Sequence, residues 1–230
     1  MQENLNSMKE KTYTYKLSIE KKHPIIITDE GMRLLVDTGS PITMSRPFRL
    51  CGMLMHGGPI FVDDIRRLSK LNINGILGLD VLEKYHVVID YPNGQIMFSN
   101  KPLGIKGEHL PINRWLGTVG FSAHINGHLR NVLLDTGAPI SYVNADLVEG
   151  YEIVGNDKDF YPGFGTFDVE LRNVALRIGN AEGMEIKAGV LPGALAIVAT
   201  VVGHAIIGYD LLSKAQVELD FEKGFITIAV

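Results

Sequence analysis

Two aspartates stand in the same local sequence at two places in the chain. Residues 34–43 read LLVDTGSPIT and residues 133–142 read LLDTGAPISY. Asp37 and Asp135 each follow an apolar run and precede Thr-Gly, a small residue, Pro and Ile. Carboxylates delivered in duplicate suggest a paired site about a pseudo-two-fold axis. Two carboxyls a few ångströms apart do not both ionise readily, so one keeps a proton while the other is charged. Such a pair offers a general base and a general acid together, and it suits hydrolysis by a water held between them.

The elements that must position these aspartates are also repeated. Residues 75–98, GILGLDVLEKYHVVIDYPNGQIMF, match residues 205–228, AIIGYDLLSKAQVELDFEKGFITI, position by position. Each has Ile-Leu/Ile-Gly-x-Asp-x-Leu, an alternating strand with Asp90 or Asp220, then Gly and a closing strand. The unit is too long and too rarely repeated for a solenoid. It predicts two similar lobes from a duplication. Asp37 and Gly78 are 41 residues apart, whereas Asp135 and Gly208 are 73 apart.

Alternation predicts strands at Tyr13–Glu20 and Gly120–Asn126, each leading by a turn to an apolar strand at Met32–Val36 or Asn131–Leu134. Asn126-Gly127 and Asn93-Gly94 are hairpin signals, and Glu222-Lys223-Gly224 supports a matching turn. Asp80, with Glu83 three residues on, predicts a capped helix over Val81–Tyr85; Asp210 does the same for Leu211–Ala215. Residues 101–117 have two prolines, three glycines and little periodicity, as a connector between lobes would. The expected organisation is therefore a lobe over 1–100, flexible through residue 12, the connector, and a second lobe over 118–230.

Composition narrows the function classes. The chain has 230 residues, room for one large or two small domains with a substantial core. Its 46% hydrophobic and 21% charged content is ordinary for a globular protein. A net charge of −4 gives no electrostatic case for nucleic acid or an anionic membrane. The single cysteine, Cys51, excludes an intrachain disulfide. No apolar signal segment opens the sequence, so the expected location is cytoplasmic, or exported after a signal sequence is removed.

Residues 188–208 lack Asp, Glu, Lys and Arg. Their length approaches that of a membrane span. Pro192, Gly193, Gly203 and His204 argue against one, as does the place of Ile206-Ile207-Gly208 in the repeat. These residues are expected to form buried strands and a loop. His124 and His128 have a helical zinc spacing, but the Asn126-Gly127 turn between them predicts a hairpin. Neither a metal nor a cofactor is expected, and no nucleotide or serine-nucleophile motif occurs.

The paired Asp-Thr-Gly-Ser/Ala, each followed at a distance by Ile-Leu/Ile-Gly, resembles the aspartic proteases of the pepsin and retropepsin type. The resemblance covers residues 13–100 and 118–230. It implies an all-β, two-lobed fold built from retropepsin-like barrels with a few short helices. It implies an endopeptidase in which Asp37 and Asp135 activate one water on a peptide or protein substrate, with the chain active as a monomer. Gly39 and Gly137 would let the loops turn tightly, and Thr38 and Thr136 would lock the loops together beneath the pair. The Ser40 hydroxyl would reach the Asp37 carboxylate, while Ala138 offers Asp135 no donor. Asp37 is then the more readily ionised and Asp135 the proton carrier, although both positions also suit a tight turn by being small. A catalytically silent peptide-binding or inhibitor-binding protein on the same scaffold is the alternative.

The resemblance also implies a hairpin flap closing over substrate. Residues 46–64 have length for only a stunted hairpin. The longer second lobe has room at residues 157–172, so a single flap is expected there. Tyr161, Phe164 and Phe167 would face a bound peptide, with Gly163 and Gly165 at the tip. Ordinary packing is the competing role for each of these aromatics.

Overall fold

The computed structural model describes residues 10–58, 62–161, 165–193, 195–197 and 203–230. The chain runs β1 (Thr12–Lys16), β2 (Ser18–Glu20), β3 (His23–Ile27), β4 (Arg33–Val36), β5 (Phe48–Leu50), β6 (Met53–Met55), α1 (Val62–Ser69), β7 (Gly75–Leu77), α2 (Leu79–Leu82), β8 (His86–Asp90) and β9 (Gln95–Ser99). It continues through β10 (Glu108–Pro111), β11 (Asn113–Trp115), β12 (Thr118–Ile125), β13 (His128–Leu134), β14 (Ser141–Val143), β15 (Gly155–Tyr161), β16 (Gly165–Ile178) and β17 (Met184–Val190). Last come β18 (Ala205–Ile207), α3 (Tyr209–Leu212), β19 (Gln216–Asp220) and β20 (Phe225–Ala229).

The two repeats meet in a six-stranded sheet ordered β1-β9-β8-β19-β20-β10. Its centre is the antiparallel pairing of β8 with β19, the same strand of each repeat, from Asp90↔Gln216 to Val87↔Leu219. Beyond it, β2-β3-β4-β7 form a sheet in the first half, and β11-β12-β13-β18-β14-β17-β16-β15 form a larger one in the second.

The period of two along each strand sorts side chains between layers. Leu34 and Val36 of β4 enter the main core, while Leu35 faces a second cluster with Ile25, Ile65 and Ile76. Ala205 and Ile207 of β18 enter the same main core, and Ile206 faces a third cluster around Tyr142 and Val169. One apolar core therefore runs through both halves.

Several local expectations change. The predicted strand Tyr13–Glu20 divides at Leu17, which is buried and donates its N–H to Gly94 O at 2.8 Å. β1 joins the shared sheet and β2 the first-half sheet. Asn126-Gly127 is the two-residue turn expected, with both φ angles positive (49° and 82°) between Ile125 and His128. His124 and His128 thereby fall on facing strands of one hairpin. The Asn93-Gly94 turn is longer, lying between paired Asp90 and Gln95, and only Gly94 has positive φ (61°). The Asp90 carboxylate closes it by accepting the Asn93 N–H at 3.1 Å. Asp220 repeats this with the Lys223 N–H at 2.9 Å.

Within the expected connector, β10 pairs with β20 and β11 with β12. Edge strands gain backbone hydrogen bonds without a strict side-chain alternation, and Pro111, which has no N–H, stands at the end of β10. Residues 188–208 contribute to β17 and β18, and residues 195–197 are helical. No helix among the described residues is long and apolar enough to cross a membrane.

Candidate active site

Each Asp-Thr-Gly loop leaves the end of one strand and is held by a parallel neighbour. In the first half β4 pairs with β7, and the Asp37 N–H donates to Leu77 O at 3.0 Å. In the second, β13 pairs with β18, and the Asp135 N–H donates to Ile207 O at 3.0 Å.

The short helices after β7 and β18 brace the far side of each loop. They begin at Leu79 and Tyr209, with Gly78 and Gly208 at the caps making no side-chain cap bond. Asp80 and Asp210 are therefore not caps, in contrast to the capping pattern read from sequence. Asp80 accepts the Thr43 N–H at 2.8 Å and its hydroxyl at 2.6 Å, and Asp210 accepts the Ser141 N–H at 2.9 Å. Each carboxylate holds the chain just past its own Asp-Thr-Gly loop, a partner too distant in sequence for a local pattern to reveal.

Beneath the aspartates the two halves interlock. The Thr38 hydroxyl accepts the Thr136 N–H at 3.0 Å and donates to Leu134 O at 2.7 Å. The Thr136 hydroxyl accepts the Thr38 N–H at 3.0 Å and donates to Val36 O at 2.8 Å. Both threonines are fully enclosed. The loops thus meet in a fixed register, and the Asp37 and Asp135 carboxyls hydrogen-bond to one another.

Gly39 and Gly137 complete the reciprocal arrangement. The Gly39 N–H donates to Asp37 Oδ1 and the Gly137 N–H to Asp135 Oδ1, both at 2.9 Å. A β-carbon on Gly39 would stand 2.5 Å from Asp135 Cγ, and one on Gly137 would stand 2.6 Å from Asp37 Cγ. Each glycine leaves space for the carboxyl of the other half. Gly39→Ala should displace Asp135 and, in the hydrolytic role proposed below, lower kcat/KM by about 100-fold, since a 1 Å error in a catalytic group has that scale of cost. A variant with wild-type kinetics would show that the loops absorb the methyl group.

Ser40 acts differently from the expectation. Its hydroxyl donates to Ile42 O at 2.8 Å, inside the turn made with Pro41, and it is the backbone N–H that donates to Asp37 Oδ1, at 3.1 Å. The loops do differ in geometry: Asp37 Oδ1 accepts two backbone N–H groups, from Gly39 and Ser40, and Asp135 Oδ1 accepts that of Gly137. Burial raises the Asp37 pKa, and the Gly39 N–H, the Asp135 hydrogen bond and the Ser40 N–H draw it back. Asp135 is raised well above the usual range, by burial first and then by the charge of Asp37.

These directions have a consequence for stability. Both carboxyls titrate above the ordinary aspartate value of 3.8, so between that value and the folded ones the folded state binds more protons than the unfolded state. Stability from this pair is present at low pH and is lost as pH rises from about 4 through the folded values. His23, whose pKa is lowered by burial, acts with the opposite sign below its ordinary value of 6.5. Melting temperatures from pH 4 to 7 for wild type and Asp135→Asn isolate the pair. Wild type should lose stability relative to the variant as pH rises, and parallel curves would reject the shifted titration.

The aspartates open into a cavity of about 670 Å³ between the halves. Leu35, Met44 and Ile76 wall one side, and Phe167, Leu191 and Ile206 the other. The β15–β16 hairpin contributes Asp159, Phe160 and Tyr161 to the lining. This hairpin crosses to the first half, where Phe160 packs against the Ile25–Ile65 cluster and its ring lies 6.3 Å from that of His23. Lys22 and Asp157 form an ion pair across the same gap at 3.0 Å.

Of the hairpin residues singled out from sequence, Tyr161 lines the cavity and is 49% exposed at its rim. Gly163 and Phe164 lie outside the described residues. Phe167 packs beside Tyr142 and Val169. The β5–β6 hairpin does not line the cavity. It docks beside β1 instead, with the Cys51 N–H donating to Tyr15 Oη at 2.6 Å.

Sequence reasoning missed α1, which supplies Asp64 and Ile65 to the cavity. The signal was present in Val62 and Ile65, three apart and both buried, with acids in the first turn and Arg66 and Arg67 in the last. It also missed Asp159 and Tyr142. Tyr142 donates its hydroxyl to Asp159 Oδ2, and the Phe160 N–H donates to Asp159 Oδ1 at 2.7 Å. Burial raises the pKa of both groups.

No family model matches this chain, and no curated protein matches it. Among solved structures it is similar to basic 7S globulin from soybean, with a TM-score of 0.54 at 9% identity. That match covers 95% of this chain and 94% of the other. The fold is accordingly all-β, two-lobed and pepsin-like, with short helices.

Proposed function

We propose that this protein is an aspartic endopeptidase in which Asp37 and Asp135 share one proton and activate one water. The observation that carries the reading is the reciprocal geometry. Two carboxyls hydrogen-bond across the axis, each beside the glycine of the opposite loop, and both open into one cavity. Asp37, whose carboxylate accepts the N–H groups of Gly39 and Ser40, accepts a proton from the water as it attacks the peptide carbonyl. Asp135 carries the other proton, donates a hydrogen bond to the developing oxyanion, and so stabilises the charge that forms in the transition state. The amine then leaves with a proton returned from the pair. The β15–β16 hairpin excludes water from the cavity when a peptide is bound.

A digest of a broad peptide library at mildly acidic pH, with a statine peptide as inhibitor, tests this. Cleavage at many peptides, blocked by statine, is the expected result, and cleavage at one narrow motif would mark a protease dedicated to a single target. Absence of any cleavage would favour a catalytically silent peptide-binding protein. Two observations support that second reading. The similar solved structure bears the name of a globulin, and the hairpin is tied across the cavity through Lys22 and Phe160.

Both aspartates belong to one chain, so the monomer is the proposed active unit. Specific activity should stay constant on dilution from micromolar to nanomolar concentration. A steep decline would indicate that chains assemble to form the site.

A further inference from the structure

The cavity holds a carboxylate that the hydrolytic scheme does not use. Asp159, on the hairpin, lines the same space as Asp37 and Asp135 and is half-buried. Its two oxygens accept from Tyr142 Oη and the Phe160 N–H, which fix the carboxyl's orientation. Among the described residues no lysine or arginine is ion-paired with it. Lys22, which acts on it only weakly, is paired with Asp157. Of the other charged groups in the lining, Asp64 is paired with Arg67, and among the described residues no Lys or Arg lines the cavity. Apart from His23, the titratable groups among the described residues facing this space are acids or tyrosines. A low-dielectric cleft lined by one sign of charge concentrates the opposite sign.

Resting on the endopeptidase reading, we propose that the cleft selects peptides bearing a lysine or arginine side chain, with Asp159 as its counter-ion and Tyr142 as the positioning residue. The aliphatic stem of such a side chain would lie along Phe160 and Tyr161 while its charged head meets the carboxylate. Burial would strengthen that contact, because neither group then has water as a competitor. The raised pKa of Asp159 agrees with a carboxyl that lacks a cation until the substrate provides one.

Statine hexapeptides test this without requiring turnover. The parent carries norleucine at every side position, and lysine replaces it at one position at a time. Dissociation constants are measured on wild type and on Asp159→Asn. At one position lysine should bind about tenfold or more tightly than norleucine to wild type, and this advantage should vanish in Asp159→Asn. The comparison is between two peptides on one protein, so a general loss of affinity cancels. Lysine without an advantage at any position, or an advantage that persists in Asp159→Asn, would overturn the selectivity. Failure of the parent peptide itself to bind wild type would instead remove the aspartate-pair reading, and this inference with it.

Discussion

Asparagine in place of either Asp37 or Asp135 is expected to reduce peptide cleavage by roughly 10,000-fold or more, the scale seen when one member of a concerted catalytic unit is lost. One remaining carboxyl cannot take the proton from water and supply one to the oxyanion in the same step. The double variant should be little worse than either single one, because the residues act as a unit. Folding should survive both changes, since asparagine has nearly the same shape and still accepts the N–H of Gly39 or Gly137. At neutral pH each variant should in fact be the more stable protein, as two buried acids with raised pKa values disfavour the folded state there. Initial rates on a cleaved peptide, with circular dichroism on the same samples, check both halves of the expectation. Near-normal turnover in either single variant would show that the pair is not the site of chemistry.

Thr38→Val should have the largest effect on stability. Valine matches threonine in shape, so no cavity forms, and the change isolates the hydrogen bonds. It leaves the Thr136 N–H and the Leu134 carbonyl without partners in an enclosed position. At about 1–3 kcal/mol for each stranded group, the loss is about 2–6 kcal/mol. That is a large share of the 5–15 kcal/mol by which a typical domain is stable. Thr136→Val should cost a similar amount, because it strands the Thr38 N–H and the Val36 carbonyl. The two losses should not add, since both variants break the same lock. Urea denaturation of the three proteins measures this. A loss below about 0.5 kcal/mol in Thr38→Val would mean that water or a shifted loop replaces the missing partners.

The fold and the aspartate pair were legible in sequence because the repeat wrote each of them twice. Asp37 and Asp135 stood in matching strings, and the Ile-Leu/Ile-Gly strands recurred at matching places. What could not be read depended on contacts between segments remote in sequence. Asp80 looks like a cap because Glu83 follows it, yet its carboxylate binds Thr43, 37 residues earlier. Ser40 carries a hydroxyl whose direction is a rotamer choice, and the turn at Pro41 sends it to Ile42. Asp159 and Tyr142 belong to separate strands and meet only when the hairpin folds back over the β14 region. The helix α1 was written in its apolar spacing, but eight residues make a weak signal beside the stunted hairpin considered for residues 46–64.

The cavity is roofed from one half only, by β15 and β16, while the other half presents the helix α1. A cleft with full two-fold symmetry offers the same surface to a peptide entered in either direction, and it cannot distinguish the amino-terminal side of a scissile bond from the carboxyl-terminal side. Here the two sides differ in shape and in charge. For the proposed endopeptidase, the polarity of a bound peptide would then be set by the protein itself, and each side of the scissile bond could be selected by a different rule.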